Sequence, residues 1–134
     1  MGDTALHPVR VAPSRDTPFS FCVTSETGGY GDDDFNTRIF EQIARSRPDI
    51  LIVAGDAVRN GTDYEDWERY FFGPAREVLH NTPFYLCPGN HEENANWFNQ
   101  FTDFPEPGNY YGFDYGNAHF TALDSTRLVD YVDG

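Results

Sequence analysis

One stretch constrains this chain more than any other. From Asp49 to Ala54 the residues Ile50, Leu51, Ile52 and Val53 run without polar interruption and end at Gly55-Asp56. A strand with one wet face alternates apolar and polar residues, whereas a strand covered on both faces is apolar throughout. The run therefore predicts the central strand of a parallel sheet. Phe19 to Thr24 and Pro83 to Cys87 are apolar and β-prone, and read as its neighbours.

The intervening segments have helical spacing. Phe35, Ile39, Phe40, Ile43 and Ala44 fall on one face, with Asp34 or Asn36 near the cap and Arg47-Pro48 as the stop. Thr62 followed by Glu65 reads as a capping box that opens a second helix near Asp63. Gly73-Pro74 is expected to interrupt that helix, and Ala75 to His80 to resume it. Asn94 to Phe101 reads as a short third helix. Tyr110 to Tyr115 and Ala118 to Asp124 alternate around Gly116-Asn117, which predicts an antiparallel hairpin. The fold class is α/β: a β-α-β-α-β unit with a mainly parallel sheet and flanking helices, then a hairpin.

The 134 residues suit one domain. Residues 1–17 read as a lead-in or linker and residues 18–134 as the domain. Twelve Phe, eight Tyr and two Trp supply a packed core. Trp67, Tyr70, Phe71, Phe72, Trp97 and Phe98 read as packing residues. Cys22 and Cys87 sit in apolar runs and read as buried free thiols. No apolar run approaches the roughly 18 residues of a membrane span. Met1 to Arg10 has neither the apolar core of a secretion signal nor the pattern of a transit peptide, so nothing in it directs export. Nine basic residues stand against 22 acidic ones, a net charge of −13. That balance repels nucleic acid and anionic membranes, so neither is an expected partner. It would repel a phosphate ester too, unless cations held by carboxylates lay in the site.

In open α/β sheets ligands bind beyond the C-terminal ends of the strands. The three loops at those ends carry the candidate chemistry. Asp56 follows a glycine at the end of the central strand, where its oxygens can meet hard cations; as an isolated feature, Gly-Asp is also an ordinary turn. Pro88 to Glu92 offers an amide, Asn90, beside an imidazole, His91, which can carry a proton to a leaving oxygen. Strand one leads into Ser25-Glu26-Thr27-Gly28, which supplies the Glu26 carboxylate to the same edge. An acid, a second acid and an Asn-His pair at successive strand ends form the beginning of a two-metal site. The other candidates read as structural: Asp32 to Asp34 as a solvated loop and cap, His119 as part of the hairpin, His80 as a helix end and His7 as lead-in.

This series resembles the calcineurin-like metallophosphoesterase family. That family places Asp-x-His or Asp-x-Gly after strand one, Gly-Asp after strand two and Gly-Asn-His-Asp/Glu after strand three. Its purple-acid-phosphatase-like branch is the nearest in pattern, on Phe19 to Thr27 and on Tyr110 to Asp124. The resemblance runs from Pro18 to Asp130. It implies the N-terminal half of a two-sheet sandwich and hydrolysis of phosphomonoesters or phosphodiesters by metal-activated hydroxide. It also implies two divalent or trivalent ions, Mn, Fe or Zn. Glu26 would be a ligand of the first, Asp56 the bridging ligand and Asn90 a ligand of the second. His91 would be the catalytic proton donor or phosphate contact, and Arg59 a phosphate-binding cation.

The departures are specific. Position 26 is Glu where the family has Asp. Gly28 stands where many members have a ligand His, and Arg59 where the purple branch has a Tyr. The later His and Gly-His-x-His motifs have no counterpart among His7, His80, His91 and His119. Val9 to Pro13 resembles the tail of a fibronectin-like domain. The expectation is a truncated domain with an incomplete site and weak or no turnover alone, open to self-association or to completion by a C-terminal segment. The rival readings are a catalytically dead metal- or phosphate-binding module, and a truncated fragment without independent function.

Overall fold

The computed structural model describes residues 10–28, 33–92, 96–104 and 108–126, with backbone alone at 33 and 34. The expected strands form a three-stranded parallel sheet in the order β1-β2-β3: β1 Phe21–Thr24, β2 Ile50–Ala54 and β3 Phe84–Cys87. β2 is central, as its apolar run requires, and Ile50, Leu51 and Val53 are fully buried. β1 starts two residues later than expected, and Phe19 packs edge-on against Tyr115 of the hairpin instead.

Register explains the layers. Cys22, Leu51 and Phe84 lie side by side, as do Val23, Ile52 and Tyr85 one residue on. Neighbours in register share a face and successive residues alternate faces. Leu51, Val53 and Leu86 therefore point together, into a core with Phe40 and Ile43 of helix α1 (Asp33–Ser46) and with Trp67, Phe71, Ala75 and Val78. The opposite face meets the hairpin β4 (Tyr111–Tyr115) and β5 (Ala118–Ala122). There Phe113 stacks on Tyr85 at 3.6 Å between centroids, and Phe120 meets Phe21 edge-on at 5.4 Å. The Tyr111 hydroxyl donates to the Leu86 carbonyl at 3.0 Å, and burial pushes its pKa well up.

Several local expectations are corrected. The second helical segment is not interrupted at Gly73-Pro74. It runs as α2 (Tyr64–Asp66), a π-helical segment (Trp67–Phe72) and α3 (Gly73–Leu79). The wider π turn absorbs Pro74, whose missing N–H falls in the first turn of α3. Its cap is Asp63, whose carboxylate accepts from the Glu65 amide at 3.0 Å, not Thr62. Asn36 is not a cap: it is buried inside α1, and its amide donates to the carbonyls of Thr27 and Tyr70. Arg47 closes α1 in the left-handed region, at φ 50, ahead of Pro48. The third short helix, α4, spans Asn96–Phe101. Trp67, Tyr70, Phe71 and Phe98 are buried, and Phe72 and Trp97 half-buried, as packing residues should be. Both cysteines are free thiols, half-buried and not fully buried. No helix of the described residues is long and apolar enough to cross a membrane. His7, Asp32, Asn94, residues 1–9 of the lead-in and everything beyond Thr126 lie outside the described residues.

Candidate functional site

The C-terminal ends of β1, β2 and β3 are zipped together beyond the last strand residues. Glu26 donates its amide to the Gly55 carbonyl at 3.2 Å, and Gly28 to the Asp56 carbonyl at 2.9 Å. Fully buried Thr27 donates its hydroxyl to the Ala57 carbonyl at 3.1 Å. Gly61 donates to the His91 carbonyl at 2.8 Å. The loop carrying Glu26, the loop carrying Asp56 and the loop carrying Asn90 and His91 are thus one bonded unit.

Three non-glycine residues of the described chain have positive φ. Two of them are Glu26 (φ 56) and Asp56 (φ 53). A left-handed backbone at a residue with a side chain costs free energy and persists only where the surroundings impose it. Here the carboxyl groups of Glu26 and Asp56 come within hydrogen-bonding reach. Asp56, by that bond and by its charge, holds the Glu26 carboxyl above its ordinary pKa, while the His91 charge acts to lower it. Asp56 Oδ1 also accepts the His91 amide at 3.0 Å. Glu26, Asp56 and His91 therefore converge, as their strand ends predict. Asn90 is exposed in the same turn, and Arg59 is exposed in the loop after β2.

The His91 ring has a defined tautomer. Its Nδ1 lies 2.7 Å from the carbonyl oxygen of Arg59, and a carbonyl can only accept. Nδ1 therefore carries a proton, and the bond fixes the orientation of the ring. Arg59 thus contributes through its main chain, which sequence reasoning on side chains did not anticipate.

At Gly89 and Gly28 a side chain would collide with the neighbouring loop. A Cβ at Gly89 would lie 2.2 Å from Asp56 Oδ1, so only glycine lets the two loops close. A Cβ at Gly28 would lie 2.3 Å from the Val58 carbonyl. No side chain fits at 28, so the chain's lack of a histidine there has a steric cause.

Sequence reasoning assigned no role to Glu92, which is fully buried. Its carboxylate accepts amides from Asp56 at 2.9 Å, Ala57 at 2.8 Å, Val58 at 3.4 Å and Gly89 at 2.6 Å. Burial raises its pKa, against the lowering effect of the Gly89, Asp56 and Ala57 amides. The signal lay in the fourth position of Gly-Asn-His-Glu, read as pattern and not as chemistry. His119, read as structural, is exposed and pairs with Asp114 at 2.7 Å, remote from these loops.

The donor set tests whether a cation belongs here. Two carboxylates pressed together repel unless a proton or a cation sits between them, and oxygen donors suit hard divalent ions. Asn90, exposed in the turn that carries His91, offers an uncharged oxygen donor. The residues fit such an ion in chemistry. Among the described residues no group of three or more His, Cys, Asp or Glu is placed to hold a metal ion.

A family model described as calcineurin-like phosphoesterase matches residues 6–134. A probable glycerophosphodiester phosphodiesterase of Arcobacter nitrofigilis is 33% identical over 60 residues, covering 45% of this chain and 20% of that protein. Purple acid phosphatase 21 of Arabidopsis thaliana is 28% identical over 129 residues, covering 84% of this chain and 28% of its own length. A solved purple acid phosphatase from yellow lupin (Lupinus luteus) seeds superposes with a TM-score of 0.67 at 16% identity, over 95% of this chain and 29% of that one. That likeness carries the fold. The chain spans less than a third of the length of each of these relatives.

Proposed function

We propose that this chain, which belongs to the calcineurin-like phosphoesterase family, is the ligand-bearing half of a metal-dependent phosphoester hydrolase. The observation that carries the reading is the convergence of Glu26 and Asp56, both on left-handed backbone at neighbouring, hydrogen-bonded strand ends, with Asp56 also accepting the His91 amide. Glu26, Asp56 and Asn90 would hold the divalent or trivalent ions, with Asp56 shared between two. Such ions supply Lewis acidity toward the phosphoryl oxygens and toward the attacking water.

The chain's own residues perform the remaining tasks. The Arg59 guanidinium, exposed beside the site, binds a phosphoryl oxygen. His91, fixed by the Arg59 carbonyl, presents Nε2 to the ester oxygen. As water bonds to phosphorus and the ester P–O bond breaks, the departing oxygen takes its proton from Nε2 of a His91 imidazolium, which keeps Nδ1–H on the Arg59 carbonyl, and the proton lost by the attacking water passes to solvent. Phosphomonoesters and phosphodiesters both suit this chemistry. Residues 18–134 are proposed as the catalytic unit and residues 1–17 as a lead-in. Missing donors would come from a complementing C-terminal segment or from self-association.

A second reading, a module that binds metal or phosphate without turnover, is favoured by Gly28, where the Val58 carbonyl excludes any ligand side chain. Hydrolysis of 4-nitrophenyl phosphate and bis(4-nitrophenyl) phosphate with Mn²⁺, Zn²⁺ or Fe decides between them. Slow turnover, abolished by chelator and by Asp56→Asn, supports the hydrolase. A folded protein that binds Mn²⁺ but cleaves neither ester supports the binding module.

A further inference from the structure

Glu92 has every feature of a group held for its position. It has no exposed surface, and its carboxylate accepts four backbone amides. The amides belong to two loops: Asp56, Ala57 and Val58 follow β2, and Gly89 follows β3. Oε2 alone takes one from each loop, Asp56 at 2.9 Å and Gly89 at 2.6 Å. The same closure puts Asp56 Oδ1 where a Cβ on residue 89 would be.

We propose that Glu92 is the positioning residue that sets the separation of the two ligand-bearing loops, and that it thereby presents Asp56 and Asn90 to one shared cation site. The inference rests on the metal-site reading given above. A buried carboxylate is costly unless it is fully hydrogen-bonded, and its amide donors are left unpaired if it is lost. Glutamine keeps the length, but it turns an NH₂ group toward amides that themselves donate. Asp56 would then lose the clamp that maintains its left-handed backbone.

The test uses the full chain, with Mn²⁺ as probe. In the wild-type protein, hydrogen exchange should find the amides of Asp56, Ala57 and Gly89 strongly protected. In Glu92→Gln that protection should fall, and Mn²⁺ affinity should drop about 10- to 100-fold, the usual penalty for losing a group that orients metal ligands. Val78→Ala, on the buried face of α3, is the control for general destabilisation. It should lower Tm while keeping wild-type Mn²⁺ affinity. The proposal is overturned if Glu92→Gln binds Mn²⁺ as the wild type does, or if Val78→Ala loses as much affinity. Should the variant fail to fold, rapid exchange at the three wild-type amides overturns it. If the wild type binds no Mn²⁺, the metal-site reading fails and the positioning claim fails with it, while protection of those amides would show that the clamp itself forms.

Discussion

The Nδ1 of His91 is bonded at 2.7 Å to the carbonyl oxygen of Arg59, a residue 32 positions earlier in the chain. The bond ties the Gly-Asn-His-Glu turn to the loop after β2, and in the proposed hydrolysis Nε2 is the nitrogen that faces the ester. Because the acceptor is main chain, Arg59→Ala should keep the ring in place while weakening phosphate binding. Its expected signature is a raised KM with a nearly unchanged kcat. His91→Asn should instead lower kcat, by about 10²–10⁴ if Nε2 is the proton donor, with Mn²⁺ affinity retained. Steady-state kinetics on an aryl phosphate separates the two patterns; a KM effect alone for His91→Asn would remove it from the proton-donor role.

Gly28 is required by packing. With a Cβ 2.3 Å from the Val58 carbonyl, backbone must move to admit even a methyl group. Gly28→Ala should cost about 1–3 kcal/mol, the range for forcing extra volume into a packed site. Urea denaturation measures it, and an unchanged midpoint would show that the loops separate freely.

Asp49 links the segment before β1 to the sheet. The Ser20 amide, at 2.8 Å, is the main cause holding its carboxyl below the ordinary pKa, with the Ser20 hydroxyl and Arg10 assisting against desolvation. A carboxylate depressed in the folded state adds stability above its unfolded pKa of about 3.9. That contribution is lost as pH falls through the lower, folded pKa. Asp49→Asn should therefore lower Tm at pH 6, and the gap to wild type should narrow as pH drops below about 4. A gap independent of pH would mean the charged form is not what stabilises.

Much of the fold was legible because its signals are local and periodic. The uninterrupted run through β2, the helical face of α1 and the alternation about Gly116-Asn117 each gave the right element. What was missed depends on tertiary partners. Asn36 looked like a cap, yet it bonds the carbonyl of Thr27, 9 residues before it, and that of Tyr70, 34 residues after it. Gly73-Pro74 looked like a break, but a π turn absorbs it. At the candidate site, the placement of Glu26, Asp56, Asn90 and His91 at adjoining strand ends could be read from the order of elements. Their ligand and proton-donor roles remain proposals. The structural partners around them, the Arg59 carbonyl and the buried Glu92, come from backbone geometry that no spacing rule contains.

The central claim is that the Glu26–Asp56 pair is a cation site. Titration of the purified chain with Mn²⁺, followed by calorimetry or by the loss of free-ion paramagnetic resonance, tests it directly. The account predicts saturable binding to the wild type that weakens at least tenfold in Asp56→Asn, a loss of about 1.4 kcal/mol or more. Equal binding by the two proteins, or none by either, would contradict it.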